Sequence, residues 1–579
     1  MKSRSLCLYL FCVFCVFAFN AFALDREAFT FTSYDLNVRV EPGQQRLAVR
    51  GKIILRNDSS APQKTAVLQI SSSLNWFSIK AGGKPLQFTS QPYDSDIDHT
   101  GALSEAIVTL PDAVPHKGTL ELEIAYEGVV ITDATRLTRI GTPDSIANST
   151  DWDQIGTAFT AVRGAGYVTW YPIATEDASL ADGSLTEVLG RWKVRASAST
   201  VHVKINVSRD DGEHPRELVV NEASCLVLYE AMGRAQLVSA NCTYQPLGLV
   251  VPTFIMANFA LANRPAIDIH YLNGHDASAT AYADAAEKVI PFITEWFGTP
   301  RSKASTIDLA DPNSAPFESG PLLLTALSGI DSKLAGITAA HQLTHAAFSS
   351  PRPWINEGLA HFAQALYLEH QSGRQAALDY MALHSSALIV SEKDKQTAMP
   401  RSEDETNHSL INTHDEELYR SKAMCVWWML REMIGDPALK RALVSYHADQ
   451  DKEPAYMQHL IQAQTQRDLE WFFDDWVNRD RGLPDFKVAS AFARKTSPDN
   501  YMLTVTVENL GMAGAEVPVT IKFAGGVIVK RLMVRGKNNA VVRVEVPNQP
   551  EEIVVNDGSV PESDTTNNVF KIEISSDTK

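Results

Sequence analysis

The spacing of hydrophobic residues changes twice along this chain, and that double change constrains the fold most strongly. In residues 24–255 apolar and polar residues alternate, as Leu36 and Val38 do with their neighbours. In residues 256–487 the apolar spacing becomes helical, and in residues 488–579 the alternation returns. Period two is typical of half-buried strands and period 3.6 of amphipathic helices. The sequence therefore predicts a multidomain α+β protein with an antiparallel β domain, a mainly helical domain and a C-terminal β-sandwich.

The first 23 residues have the three parts of a secretory signal peptide. Lys2 and Arg4 form a positive start, residues 6–19 are apolar, and residues 21–23 read Ala-Phe-Ala, a small-residue cleavage site. An uncleaved anchor is the alternative for the same segment. No later stretch is apolar for long enough to span a bilayer. We therefore expect an exported protein, periplasmic or extracellular, with no membrane span in the mature chain.

The net charge limits the classes of binding partner, and the cysteines offer one possible disulfide. The formal net charge of −17 argues against nucleic acid, which needs a basic surface. Cys225 and Cys242 flank a short segment, and in an oxidising compartment they can form a disulfide. Two buried thiols fit the same spacing equally well. Cys425 lies in an apolar helical stretch and is predicted to be a core residue.

The segment HQLTH at residues 341–345 carries the chemistry. It follows an apolar helical stretch, and histidines at i and i+4 project from one helix face. This spacing lets His341 and His345 bind one tetrahedral zinc ion. A zinc hydrolase needs a third protein ligand, and Glu357, at the start of the next predicted helix, is the natural candidate. Without further context, two ordinary histidines on a helix face are the favoured interpretation of such a pair.

These residues resemble the aminopeptidase N family of gluzincin metallopeptidases, also called membrane alanine aminopeptidases. That family carries His-Glu-x-x-His followed by Asn-Glu-Gly, and His341, His345 and Glu357 match its three zinc ligands. The resemblance covers most of residues 30–487. It implies a thermolysin-like peptidase domain, zinc as the cofactor, and peptides or protein N-termini as ligands.

Two further residues match positions that handle substrate in that family. Glu318, in PFESGPLL, corresponds to the glutamate that binds the free amino group of the substrate. Tyr419, in YRSKAM, corresponds to the tyrosine that donates to the oxyanion, although Lys422 replaces a glycine of the family pattern. The structural alternatives are a carboxylate at a strand end for Glu318 and a packed aromatic for Tyr419.

Two further departures from the family pattern matter for the chemistry. Gln342 stands where the family has the glutamate that takes a proton from the zinc-bound water, and an amide is no useful base. Only residues 346–356 separate His345 from Glu357, fewer than the family usually has. His361, one turn beyond Glu357, is therefore a second candidate for a ligand or a neighbour of the site, against the alternative of an ordinary helix residue.

The resemblance thus implies an exported zinc metallopeptidase of aminopeptidase type that binds peptide N-termini. Because Gln342 replaces the general base, hydrolysis is expected to be impaired or lost, unless another carboxylate supplies the base. The alternative is a non-catalytic zinc-binding, peptide-binding or structural protein that uses the peptidase domain as a platform. Residues 488–579 lie outside the resemblance and look like the Ig-like modules of bacterial exported proteins. Nothing in the sequence indicates the oligomeric state.

Overall fold

The computed structural model describes residues 24–209, 217–222, 224–232, 235–397, 409–413 and 415–572. The predicted signal peptide, residues 1–23, lies outside the described part of the chain. Among the described residues, no helix combines the length and apolar character needed to cross a membrane.

The N-terminal region consists mainly of strands. They are β1 (Phe29–Glu41), β2 (Arg46–Asn57), β3 (Gln63–Ser71), β4 (Leu74–Ala81), β5 (Lys84–Pro85), β6 (Phe88–Asp94), β7 (Ala102–Val114), β8 (Thr119–Val129), β9 (Phe159–Val162), β10 (Thr200–Arg209), β11 (Glu217–Val220), β12 (Leu226–Met232), β13 (Ala235–Tyr244) and β14 (Phe254–Ala257). Three helices interrupt them: α1 (Thr135–Arg139), α2 (Asp144–Thr150) and α3 (Ser184–Ala196).

These strands form an eight-stranded sheet, in the order β12-β13-β10-β1-β2-β8-β4-β5, and two three-stranded sheets, β3-β7-β6 and β11-β14-β9. The predicted alternation is visible in β1, where Leu36, Val38 and Val40 are buried while Asn37 and Arg39 are exposed. The expectation of a purely antiparallel sheet is wrong at one pair, because β1 and β10 run parallel. Parallel neighbours need a long crossover, which the chain through α1 to α3 provides.

The middle region opens with a five-stranded sheet in the order β15-β16-β17-β19-β18. Its strands are β15 (Phe259–Asn263), β16 (Ile267–Leu272), β17 (Ala304–Asp308), β18 (Phe317–Ser319) and β19 (Leu322–Thr325). The helices are α4 (Asp276–Phe297), α5 (Ala335–Ala347), α6 (Pro353–Ser372), α7 (Arg374–Thr397), α8 (Ala423–Ile434), α9 (Asp436–Val444), α10 (Tyr456–Gln462) and α11 (Glu470–Phe473), with π-helical turns at Glu417–Lys422 and Asp474–Asn478. The edge strand β18 pairs antiparallel with β19 and carries Glu318.

The C-terminal region returns to strands. They are β20 (Phe486–Lys495), β21 (Asn500–Asn509), β22 (Ala515–Phe523), β23 (Gly526–Val534), β24 (Asn539–Pro547), β25 (Pro550–Val555) and β26 (Val569–Lys571). They form one sheet in the order β20-β21-β24 and another in the order β23-β22-β25-β26. The indole of Trp476 donates to the carbonyl of Gly514 over 2.7 Å, which ties this region to the helices. The predicted succession of β-sheet region, helical middle and C-terminal strands is confirmed, while the exact domain bounds stay a prediction.

The cysteine alternatives are resolved in favour of a disulfide. Cys225 and Cys242 are joined by an S–S bond of 2.04 Å, which links the residue just before β12 to β13. Cys425 is a buried free thiol in α8, as its apolar surroundings predict.

Candidate metal centre

Helix α5 presents two histidines at one point. His341 and His345 are one turn apart, and their Nε2 atoms are 3.3 Å from each other. Burial, together with the neighbouring His345, lowers the pKa of His341 to about 4. The imidazole of His341 is therefore neutral near pH 7, the form that has a free lone pair for a metal ion.

Glu357 completes the group from helix α6. Its carboxylate oxygens are 3.5 Å from His345 Nε2 and 3.8 Å from His341 Nε2. Only residues 348–352 lie between α5 and α6, and Pro353 occupies the first turn of α6, where its fixed φ suits a helix start. The short spacing noted in the sequence therefore still brings Glu357 to the histidines.

Gly358 allows α6 to lie close to α8. A Cβ atom at this position would be 2.6 Å from the Cβ of Ala423 and 3.0 Å from Trp427 Nε1, so any larger residue would push the helices apart. Trp354, one turn earlier on α6, stacks on Trp427 with ring centroids 5.2 Å apart. This packing fixes the axial position of α6 and hence the position of Glu357.

The three side chains fit a metal ion. One ligand atom from each of His341, His345 and Glu357 lies within 4.8 Å of the others. Zinc–nitrogen bonds of about 2.0–2.1 Å at tetrahedral angles place two nitrogens roughly 3.3–3.4 Å apart. The observed His341–His345 separation of 3.3 Å therefore needs almost no adjustment to hold such an ion.

Two amide side chains of α6 lie behind the histidines. Gln364 is hydrogen-bonded to His341, and its Oε1 atom accepts a 2.8 Å bond from the hydroxyl of Tyr380. Asn356 Nδ2 lies 3.1 Å from His345 Nδ1. Neighbours of this kind orient metal-binding imidazoles and select which ring nitrogen faces the metal. Neither amide was assigned a role from the sequence: Asn356 is the asparagine of the Asn-Glu-Gly segment, and Gln364 belongs to no motif.

Gln342 is buried beside this group, with only 1% of its surface exposed. Its Oε1 atom accepts a 2.6 Å hydrogen bond from the hydroxyl of Tyr282 on α4. Its Nε2 atom donates to Glu318 Oε1 over 3.2 Å. Both ends of the amide are therefore hydrogen-bonded within the protein.

Glu318 lies on β18, on the other side of Gln342 from Tyr282. Burial raises the pKa of Glu318, although His345 and the hydrogen bond from Gln342 act in the opposite direction. The next residue, Ser319, is tied to the N-terminal region: its hydroxyl donates to the carbonyl of Val251 over 3.1 Å and accepts from Asn221 over 3.1 Å. The structure thus brings Glu318 to Gln342 and anchors the strand that carries it.

Tyr419 and Arg420 enter the site from the π-helical turn Glu417–Lys422. Burial raises the pKa of Tyr419, with nearby carboxylates adding to the effect, so its hydroxyl remains a donor near neutral pH. Arg420 Nε is 4.0 Å from Glu357 Oε2, and it has no hydrogen-bond partner among the described residues. Arg420 was not predicted from the sequence, because only the fold brings this turn to α6.

Lys422 and His361 are the two remaining residues that the comparison with the family pattern singled out. Lys422, which stands where the family pattern has a glycine, is fully buried. Its ammonium group forms an ion pair with Asp480, which compensates the buried charge. His361 has its ring centroid 5.0 Å from that of His341, but it is outside the group of converging ligand atoms. Burial and the neighbouring His341 lower the pKa of His361 to about 2. Glu357 is therefore the third member of the converging group, and His361 lies beside that group.

Comparison with known proteins gives matches in sequence and in fold. Residues 351–476 match the family model described as Peptidase family M1 domain, a range that includes Glu357 and Tyr419 but begins after His345. The M1 zinc metallopeptidase from Deinococcus radiodurans has a similar fold: a TM-score of 0.51 at 14% identity, over 76% of this chain and 91% of that chain. A mutant of the same peptidase gives a TM-score of 0.52 at 15% identity, over 79% and 96% of the two chains. No curated protein sequence matches this chain.

Proposed function

We propose that this protein is an exported zinc metallopeptidase of aminopeptidase type. It binds the N-termini of peptides and hydrolyses the peptides slowly or not at all. The observation that carries the proposal is the convergence of one ligand atom each from His341, His345 and Glu357 within 4.8 Å. Two imidazoles and a carboxylate are the ligand set of catalytic zinc sites that keep a fourth position open. The match of residues 351–476 to the M1 domain supports the same class.

Zinc, when bound, polarises a carbonyl oxygen and acidifies a water molecule. Around it, Glu318 provides a carboxylate for the ammonium group of a peptide, because its partly buried position strengthens an ion pair with a ligand cation. Tyr419 provides a phenolic hydroxyl that stays protonated and can donate to a carbonyl oxygen on which charge develops.

Gln342 explains the expected loss of hydrolysis. The position calls for a group that takes a proton from water and delivers it to the leaving amine, and an amide has no basic site for this. Its two ends are already hydrogen-bonded to Tyr282 and Glu318. Removal of a general acid–base group typically lowers a rate by about 10²–10⁴, while the ligand positions of His341 and His345 are unaffected.

The proposal includes several finer features. The chain is exported after loss of residues 1–23, and its peptidase domain is of the aminopeptidase N type. Residues 488–579 form an Ig-like sandwich, which the two sheets β20-β21-β24 and β23-β22-β25-β26 support. Peptides or protein N-termini are the ligands.

A second candidate is a non-catalytic protein that binds zinc and peptides, favoured by the engagement of both ends of Gln342. Metal analysis and turnover separate the candidates. We expect about one zinc per purified chain, the stoichiometry of a single three-ligand site. Slow hydrolysis of aminoacyl arylamides that stops on zinc removal supports an enzyme, while zinc binding without turnover supports the non-catalytic protein. A chain that purifies without zinc and cannot be loaded contradicts both and leaves only a structural platform.

A further inference from the structure

The side chain of Gln342 is fixed in one orientation by its two partners. Burial raises the pKa of Tyr282, so its hydroxyl keeps its proton and donates to Gln342 Oε1 over 2.6 Å. Glu318, as a carboxylate, can only accept, and Gln342 Nε2 donates to it over 3.2 Å. The reverse orientation would set an amide oxygen against a carboxylate oxygen. Both hydrogen bonds therefore specify the same amide orientation.

This orientation has a consequence for Glu318. A donor on a carboxylate favours its ionised form and restrains its rotation, and Glu318 needs both because burial alone favours the neutral acid. Gln342 supplies that donor from a position with 1% exposure, where water does not compete. Tyr282, also 1% exposed, holds the other end of the amide from the neighbouring helix α4.

We infer that Tyr282 and Gln342 are positioning residues that hold the Glu318 carboxylate ready for a ligand ammonium group. The inference rests on the proposed function, in which Glu318 binds the peptide N-terminus. Gln342 then has two effects: it removes the general base, and it orients the carboxylate that binds the amine. Tyr282, on a separate helix, acts through Gln342.

The inference is tested with two zinc-binding probes that differ only at the amine: L-alanine hydroxamate and N-acetyl-L-alanine hydroxamate. Isothermal titration calorimetry on the zinc-loaded full chain gives a Kd for each, and the ratio of the two Kd values measures amine preference. Hydrolysis is not needed for this readout. Both hydroxamates bind through the metal, so a general weakening of the site changes both Kd values and leaves their ratio unchanged.

Three variants are compared with the wild type. Tyr282→Phe keeps the ring and removes the hydroxyl, and Gln342→Met keeps the side-chain length and removes both hydrogen bonds. Tyr446→Phe is the control, because it also loses a buried hydroxyl, which donates to Asp451 over 2.7 Å, without touching Gln342. We expect the first two variants to lower the amine preference about five- to tenfold, the effect of about one ordinary hydrogen bond, because both act on the ammonium group only through Glu318. The control should keep the wild-type ratio.

The outcomes separate this inference from the proposal beneath it. If the wild type prefers the free amine and either Tyr282→Phe or Gln342→Met keeps the full preference, the positioning role is wrong while the amine site stands. If Tyr446→Phe lowers the ratio equally, the effect is not specific and the inference is overturned. A wild type that binds both hydroxamates equally overturns the amine site itself. Should Tyr282→Phe not fold, Gln342→Met decides the question alone.

Discussion

Two adjacent residues of helix α5 face different chemical surroundings. His341 points to His345 and Glu357, whose ligand atoms leave room for a metal ion. Gln342 points to Tyr282 and Glu318, which occupy both ends of its amide. Under the proposed function, the helix thus separates the metal-binding half of the site from the half that would transfer protons and bind the substrate amine. A substitution at residue 342 can change proton transfer while leaving the metal ligands in place.

The largest expected loss is in the metal-binding half, where one variant should remove nearly all of the zinc. His345→Ala removes one of three ligands, and we expect the zinc content to fall from about one per chain to below about one tenth. Inductively coupled plasma mass spectrometry on the purified chain measures this. His116→Ala, at an exposed histidine of the N-terminal region, should keep its zinc. Retention of zinc by His345→Ala would contradict the assignment of His345 to the metal-binding half.

The next expected effect is on the binding of a transition-state analogue, through the hydroxyl of Tyr419. Tyr419→Phe should weaken binding of a phosphinic dipeptide, whose tetrahedral oxygens carry negative charge, by about 10- to 100-fold. Zinc content should not change, because His341, His345 and Glu357 supply the converging ligand atoms and all three are kept. Tyr456→Phe, in α10, is the matched control. Equal affinity of Tyr419→Phe and wild type would remove Tyr419 from the site.

A smaller effect is expected behind the ligands. Gln364→Leu removes the hydrogen-bond partner of His341 and should weaken zinc affinity about tenfold, the lower end for such neighbours. Competition with a zinc chelator measures the affinity. Gln375→Leu, at an exposed glutamine of α7, provides the comparison. If both variants bind zinc as the wild type does, Gln364 has no part in orienting His341.

The smallest expected effect is on zinc affinity, through the positive charge of Arg420. Arg420→Gln removes a cation 4.0 Å from Glu357, and zinc should then bind about threefold more tightly, a modest change because Arg420 is 42% exposed and solvent screens it. The same chelator competition at low and high salt tests this, with a larger difference at low salt. Arg191→Gln, in the exposed pair with Glu187, is the control. Weaker zinc binding in Arg420→Gln would instead indicate that Arg420 helps to orient Glu357.

The sequence predicted the elements of the site that lie within short motifs. The i, i+4 spacing of His341 and His345 follows from helix geometry, and Glu357 follows a short break with prolines. Alternating apolar residues likewise predicted the strands at both ends of the chain. In each case the local pattern determines the local structure.

The partners that come from distant elements could not be predicted in this way. Tyr282 is sixty residues from Gln342 in sequence, and its role depends on how α4 packs on α5. Arg420 reaches Glu357 from a π-helical turn, and no sequence pattern predicted that turn. The parallel pairing of β1 with β10 also depends on the path of the chain between them. Tertiary packing decides all three.

The comparison of Gln342→Glu with the wild type tests the central claim most directly. Zinc per chain and the rate of alanine arylamide hydrolysis per bound zinc are measured on both proteins. We predict equal zinc content and a rate about 10²–10⁴-fold higher in the variant, because the carboxylate restores the general base next to intact ligands. Equal zinc content with no gain in rate would contradict the claim that the loss of hydrolysis lies at residue 342.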